Sequence, residues 1–254
     1  MHVIGLQYDI IWEDKAANYQ KIRRMLQQAG PQPGALVILP EMSATGFSMQ
    51  VEQIAEPEMG MTEQFFANLA KEFQVYLVGG KVSTGTPPKG RNEAVVFNPQ
   101  GSLLARYAKQ RAFNPGGEGE HYECGRQNVL LAADSWRWSP FICYDLRFPE
   151  LFRRAVKEGA ELFVIIANWP TERIEHWLTF LRARAIENQA YVVGVNRCGL
   201  SPKLHYGGCS LIIGPRGETL AAAGEGEEII KATLERDTLL SYRRDFPVLA
   251  DMLE

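Results

Sequence analysis

Four cysteines, Cys124, Cys143, Cys198 and Cys209, form no C-x-x-C pair and no close framework, so neither a disulfide scaffold nor a zinc ribbon is expected. Histidine is equally scarce at four residues, and the one H-x-x-C pair, His121 with Cys124, has no second pair at zinc spacing. No metal or organic cofactor is therefore expected. Long basic runs are also missing: Lys plus Arg count 27 against 30 Asp plus Glu, a net charge of −3, which argues against a nucleic-acid partner. No apolar run approaches the roughly 20 residues of a membrane-spanning helix. The opening His2-Val3-Ile4-Gly5-Leu6 reads as a strand and not as a leader, so the expected setting is a reducing cytoplasm with no membrane contact. Low-complexity tracts and solenoid periods are absent too.

What remains is an ordinary globular composition, 46% hydrophobic and 22% charged, in a length that fits one large domain over residues 1–254. Apolar runs of strand length alternate with segments of helical period. Residues 2–8 read as a strand, and 14–29 as a helix with Ile22, Met25, Leu26 and Ala29 on one face. A continuous apolar run, 35–39, suits a strand covered on both faces. Thr62 is a candidate N-cap for a helix that leads to a strand at 75–82.

The alternation then gives way to a hairpin over 93–108 around Asn98-Pro99-Gln100-Gly101, and 212–220 repeats the device around Gly214-Pro215-Arg216-Gly217, a hint that the two halves are related. Between them lie strands at 138–143, 162–167 and 191–196 and helices from Pro149 and over about 173–189. A last strand, 228–234, precedes a charged tail, 235–254, expected to fray or to dock on a partner subunit. The pattern predicts an α/β fold of mixed sheets covered by helices.

Cys143 falls where a buried strand bends toward a helix, a place where a helix N-terminus would favour a thiolate and the Tyr144 N–H could face an oxyanion. A small buried hydrophobe is the plainer reading of that cysteine. A thiolate needs a base and a cation: Glu41 ends the strand Val37-Ile38-Leu39-Pro40 and fits the first role, and Lys109 ends 103–108 and fits the second. Each alone reads equally as a solvated loop charge. Arg147 and Glu150 are spaced for a structural ion pair, with Glu187 as an alternative partner.

Leu39-Pro40-Glu41-Met42, Tyr107-Ala108-Lys109 and Ile142-Cys143-Tyr144-Asp145-Leu146-Arg147-Phe148-Pro149-Glu150 together resemble, in order, the three signature blocks of the nitrilase superfamily. With Ala167-Asn168-Trp169-Pro170 and Arg184-Ala185-Ile186-Glu187-Asn188, the resemblance spans residues 2–235 and is greatest to its omega-amidases. It implies a single-domain four-layer α-β-β-α sandwich with two mixed sheets, and a homodimer or larger homo-oligomer. It also implies Cys143 as nucleophile, Glu41 as general base, Lys109 as oxyanion holder, and a second glutamate, Glu118 or in reserve Glu120, positioning the lysine.

Tyr144, Phe47, Trp169 and Arg173 are the candidate substrate-binding residues, Arg173 for a substrate carboxylate. The stretch Gln110-Arg111-Ala112-Phe113-Asn114-Pro115 departs from the family text after the lysine and puts the substrate in doubt; Arg111 could add a cation there or be a surface charge. The implied activity is hydrolysis of a small omega-amide such as 2-oxoglutaramate through a thioester. Deaminated glutathione or an N-carbamoyl compound is the alternative substrate, and a non-catalytic assembly module with this fold is the alternative of another class. A Cys-His hydrolase using His121, His176 or His205 is a further rival.

Overall fold

A computed structural model describes residues 1–252. The chain starts β1 (His2–Gln7), α1 (Lys15–Ala29), β2 (Leu36–Ile38), α2 (Val51–Ile54), α3 (Met61–Phe73), β3 (Tyr76–Thr84), β4 (Gly90–Phe97), β5 (Leu103–Ala108) and α4 (Glu118–His121). The second half runs β6 (Leu131–Ala133), β7 (Trp136–Ile142), α5 (Pro149–Lys157), β8 (Leu162–Ala167), α6 (Ile174–Asn188) and β9 (Tyr191–Asn196). It closes with β10 (Cys198–Leu200), β11 (His205–Gly207), β12 (Leu211–Ile213), β13 (Thr219–Ala222), β14 (Glu228–Thr233) and α7 (Arg236–Asp245).

Two six-stranded mixed sheets result, ordered β14-β1-β2-β3-β4-β5 and β13-β12-β9-β8-β7-β6. Read from β14 in one and from β6 in the other, both follow the same sequence of pairings: antiparallel, parallel, parallel, antiparallel, antiparallel. The hint carried by the two similar hairpins is thus met in the strand order. Asn98 and Gly101 explain the first hairpin's tightness: the Asn98 side chain accepts the Gln100 and Ser102 N–H groups, and Gly101 takes a left-handed φ of 77°.

The strands are apolar on both faces because both faces are covered. In β2, Leu36 and Ile38 enter the core between the sheets, whereas Val37 packs with Ile22, Leu26 and Leu69 of the helix layer; in β4, Ala94 and Val96 face inward and Val95 and Phe97 outward. The sheets and helices therefore stack as helix, sheet, sheet, helix.

One local expectation needs correction. Thr62 does not cap α3, whose N-cap is Gly60; its hydroxyl donates to Glu56 and contacts Tyr19, tying the helix start to α1. Part of the charged tail packs on the chain itself. Residues 236–245 form α7 on the chain's own surface, where Arg236 grips Glu161 at 2.7 Å, Arg243 donates to the carbonyls of Gln189 and Ala160, and Leu239 is fully buried. Residues 253 and 254 of that tail lie outside the described residues.

One close approach sets up everything at the sheet edge. After β2, Pro40 has no N–H to continue the ladder, and the chain turns over β3 with Met42 at a φ of 43°. The Gly80 carbonyl accepts from both the N–H and the hydroxyl of Ser43, and a Cβ on Gly80 would lie 2.4 Å from the Met42 nitrogen and 2.6 Å from the Glu41 Cα. Gly80→Ala should therefore cost about 1–3 kcal/mol of stability by overpacking and lower activity by displacing Glu41. Gly226→Ala, with open space around the added methyl, is the control. Urea unfolding of the two variants checks this; equal midpoints would refute it.

Candidate active site

The parallel strands of both sheets deliver their C-terminal ends to one place, as expected for ligand sites in α/β folds. Glu41 follows β2, Cys143 follows β7, Asn168 follows β8, and Lys109 follows β5 from the first sheet's edge. The structure brings Glu41, Lys109 and Glu118 together and buries all three.

Lys109 Nζ lies 2.9 Å from Glu41 Oε1 and 2.8 Å from Glu118 Oε2. Asn92, from β4, donates its side-chain NH2 to both carboxylates, at 2.7 Å to Glu41 and 2.9 Å to Glu118. The remaining oxygens are also served: the Asn168 backbone N–H donates to Glu41 Oε2 at 2.8 Å, and the Phe113 N–H donates to Glu118 Oε2 at 2.6 Å. Burial pulls the Lys109 ammonium toward deprotonation, but the two carboxylates outweigh it and hold its pKa well above the ordinary lysine range. Glu120 is exposed, so of the two glutamates only Glu118 is at the site.

Cys143 opens a 3-10 turn, Cys143–Arg147, with a left-handed φ of 45° that a non-glycine residue adopts only when its surroundings compel it. The compelling residue is Asp145. Its buried carboxylate accepts from the Ile142, Gln110 and Arg111 N–H groups and from the Tyr107 hydroxyl, binding the cysteine turn to the segment after Lys109. Burial raises the Asp145 pKa to about 6 against those donors and the Lys109 charge.

The helix α5 begins at Pro149, as expected, six residues beyond Cys143. Burial, followed by the Glu41 charge, pushes the Cys143 thiol well above its ordinary pKa, and Lys109 only partly opposes this. The Glu41 and Glu118 charges thus add to burial in opposing ionisation of the sulfur.

In front of the sulfur lies a narrow cleft walled by Phe47, Phe113, Tyr144, Trp169, Tyr206 and others, which opens past Phe47 and Tyr206 into a wider vestibule. All four predicted substrate-binding residues line it. Lys109 Nζ sits 5.2 Å from the Phe47 ring centre, and the Trp169 indole N–H donates to the Arg173 carbonyl. Arg173 and Arg147 both reach the cleft.

The expected Arg147–Glu150 or Arg147–Glu187 pair does not form. Glu150 takes Arg111, which stacks on Phe148 at the surface, and Glu187 takes Arg184. Arg147 instead stacks on Trp169, Tyr144 and Phe180, contacts His176, and meets no carboxylate among the described residues. His121, His176 and His205 are all exposed, and none lines the cleft with Cys143.

Sequence reasoning missed Asn92, Asp145 and the cleft role of Arg147. Asp145 and Arg147 were in view inside the Cys143 block. Asn92 carried no local signal, because only the β3–β4 register brings it to Glu41.

The carbon-nitrogen hydrolase family model matches residues 3–244. A Yersinia enterocolitica omega-amidase is 37% identical over 97% of this chain and 94% of its own, and a 2-oxoglutaramate amidase of Bacillus subtilis is 31% identical over 97% and 95%. A crystal structure of a carbon-nitrogen hydrolase superfamily protein from Xanthomonas campestris, with an arsenic adduct in its active site, is 32% identical. It superimposes with a TM-score of 0.94, covering 100% of this chain and 97% of that one.

The charge arrangement predicts an outcome that activity alone would not reveal. Glu41→Gln removes the nearest negative charge raising the thiol, so the pKa of Cys143 should fall although catalysis is lost; Lys109→Met should raise it. The pH dependence of iodoacetamide alkylation, with peptide mapping to Cys143, measures both, and a rise in Glu41→Gln would contradict the arrangement.

Proposed function

The chain belongs to the carbon-nitrogen hydrolase family, and from that membership we propose that it hydrolyses the omega-amide of a short dicarboxylic acid, such as 2-oxoglutaramate, to the diacid and ammonia. The observation that carries the substrate is a pair of guanidinium groups, Arg147 and Arg173, facing the cleft in front of Cys143. Burial and the Arg173 charge pull the Arg147 pKa down against the Tyr144 phenol, and Arg173, which stacks on Phe113, has among the described residues only the exposed Glu172, at 3.6 Å, as an ionic partner. Like charges crowded into an apolar cleft favour an anion between them, and a guanidinium suits a carboxylate bidentately. A single distal carboxylate on the substrate satisfies them.

In the proposed reaction Glu41 takes the Cys143 proton as the sulfur attacks the amide carbon, so no free thiolate accumulates. The oxyanion is held by Lys109 and the Tyr144 N–H, donors of a kind worth about 2.7–4 kcal/mol each. Glu41 returns the proton to nitrogen, the C–N bond breaks and ammonia leaves a thioester. Water then attacks the thioester with Glu41 as base, and the sulfur regains its proton as the acid departs. Glu118 keeps Lys109 charged and aimed throughout.

Two outcomes follow. Cys143→Ala should fold with parent stability and lose nearly all amidase activity; activity comparable with the parent would sink the mechanism. Arg147→Met or Arg173→Met should raise KM for 2-oxoglutaramate about ten- to hundredfold, as loss of a charged hydrogen bond implies, with much less effect on hexanamide. Steady-state ammonia release on both substrates decides it. Uniform loss would mean structural damage, and a tenfold parent preference for hexanamide, for deaminated glutathione or for an N-carbamoyl compound would replace the omega-amide reading.

A further inference from the structure

Arg147 lines the cleft from the turn that opens at Cys143, and rings hold most of its guanidinium: the central carbon lies 4.9 Å from the Trp169 ring centre, 5.4 Å from that of Phe180 and 5.8 Å from that of Tyr144. Ring contacts of this kind draw a cation onto the ring face but aim no particular N–H in any one direction. A hydrogen bond does, and among the described residues the Arg147 side chain makes one, from Nη2 to Nδ1 of His176 at 3.1 Å. Arginine has donors only, so Nδ1 is the acceptor and carries no proton; the imidazole of this pair is the neutral form with its proton on Nε2. His176 and Phe180 stand four residues apart on α6 with ring centres 6.1 Å apart, so one face of that helix offers both an acceptor and a ring to the same guanidinium.

We propose that His176 is a positioning residue for anion recognition: by accepting from Nη2 it fixes the rotation of Arg147, so that the guanidinium's other N–H groups are aimed at a substrate carboxylate in the cleft. The inference rests on the reading above that Arg147 takes that carboxylate. The neutrality of the partner is what suits it to the task. A carboxylate in its place would also orient the guanidinium, but it would compete with an anionic substrate for the same charge. A neutral imidazole orients the group and leaves its full positive charge to the ligand. His176 is itself exposed and does not line the cleft, so it acts on the substrate only through Arg147.

The test measures steady-state ammonia release from 2-oxoglutaramate and from hexanamide by His176→Leu and His176→Asn, beside Arg147→Met. Asparagine Oδ1 stands at the same bond separation from the backbone as histidine Nδ1 and also accepts, whereas leucine cannot. His176→Leu should raise KM for 2-oxoglutaramate about threefold to tenfold more than for hexanamide, the weight of one hydrogen bond, with the change carried by KM and not by kcat. His176→Asn should recover most of that difference. A KM ratio unchanged in His176→Leu would overturn the proposal, as would equal losses on the two substrates or an Asn variant as impaired as the Leu one. The Arg147→Met arm separates the two failures: if it too shows no discrimination between the substrates, the carboxylate is not bound at Arg147, and the omega-amide reading of that residue falls together with the role of His176.

Discussion

The buried ammonium of Lys109, shared by Glu41 and Glu118, is the interaction the rest of the site answers to. Three charges taken out of water cost several kcal/mol each unless every lone pair and proton finds a partner. The fold supplies those partners from elements far apart in sequence: Asn92 from β4, the Asn168 N–H from the end of β8, and the Phe113 N–H from the loop after β5. A two-layered sheet core with both sets of strand ends meeting in one place is what allows five segments to converge. Burial and then the same carboxylate charge oppose ionisation of the neighbouring Cys143 sulfur.

The repeat of strand order in the two sheets gives the site its division of labour. One sheet contributes the charged cluster through the ends of β2 and β5; the other contributes Cys143 and the cleft wall through the ends of β7 and β8. Each half alone has buried charges or a buried thiol without a complement. Asp145 links the halves by accepting both from the strand that carries Cys143 and from the segment after Lys109, so one carboxylate ties the Cys143 turn to the Lys109 segment.

Much of this was legible from the chain. Buried strands announced themselves as apolar runs because both faces are covered, and the hairpins around Asn98-Pro99-Gln100-Gly101 and Gly214-Pro215-Arg216-Gly217 were marked by turn chemistry. The short strands β6, β10 and β11, three residues each, have too little length for a period to show. Glu41, Lys109 and Cys143 stood at strand ends, whereas Asn92 lies within a strand, and its role follows from register. What acts most on the Cys143 sulfur, burial and the Glu41 charge, was not legible locally, because burial follows from packing and Glu41 lies about a hundred positions away in the chain.

Two non-glycine residues in left-handed conformations, Met42 and Cys143, flank the reacting centre from opposite sheets. Such conformations cost on the order of 1–3 kcal/mol each and persist only where the surroundings over-determine them. Both are over-determined here by hydrogen bonds to backbone: Ser43 grips the Gly80 carbonyl beside one, and Asp145 grips the Ile142 N–H beside the other. The left-handed turn carries the chain away from each strand immediately after the functional side chain or at it, so Glu41 and Cys143 project beyond the sheet ends and not along its faces. Relaxing either turn would return its side chain toward a sheet already filled on both sides. The strain is thus tied to reach: the same backbone that is costly to hold is what brings a carboxylate and a thiol from two different sheets to one site.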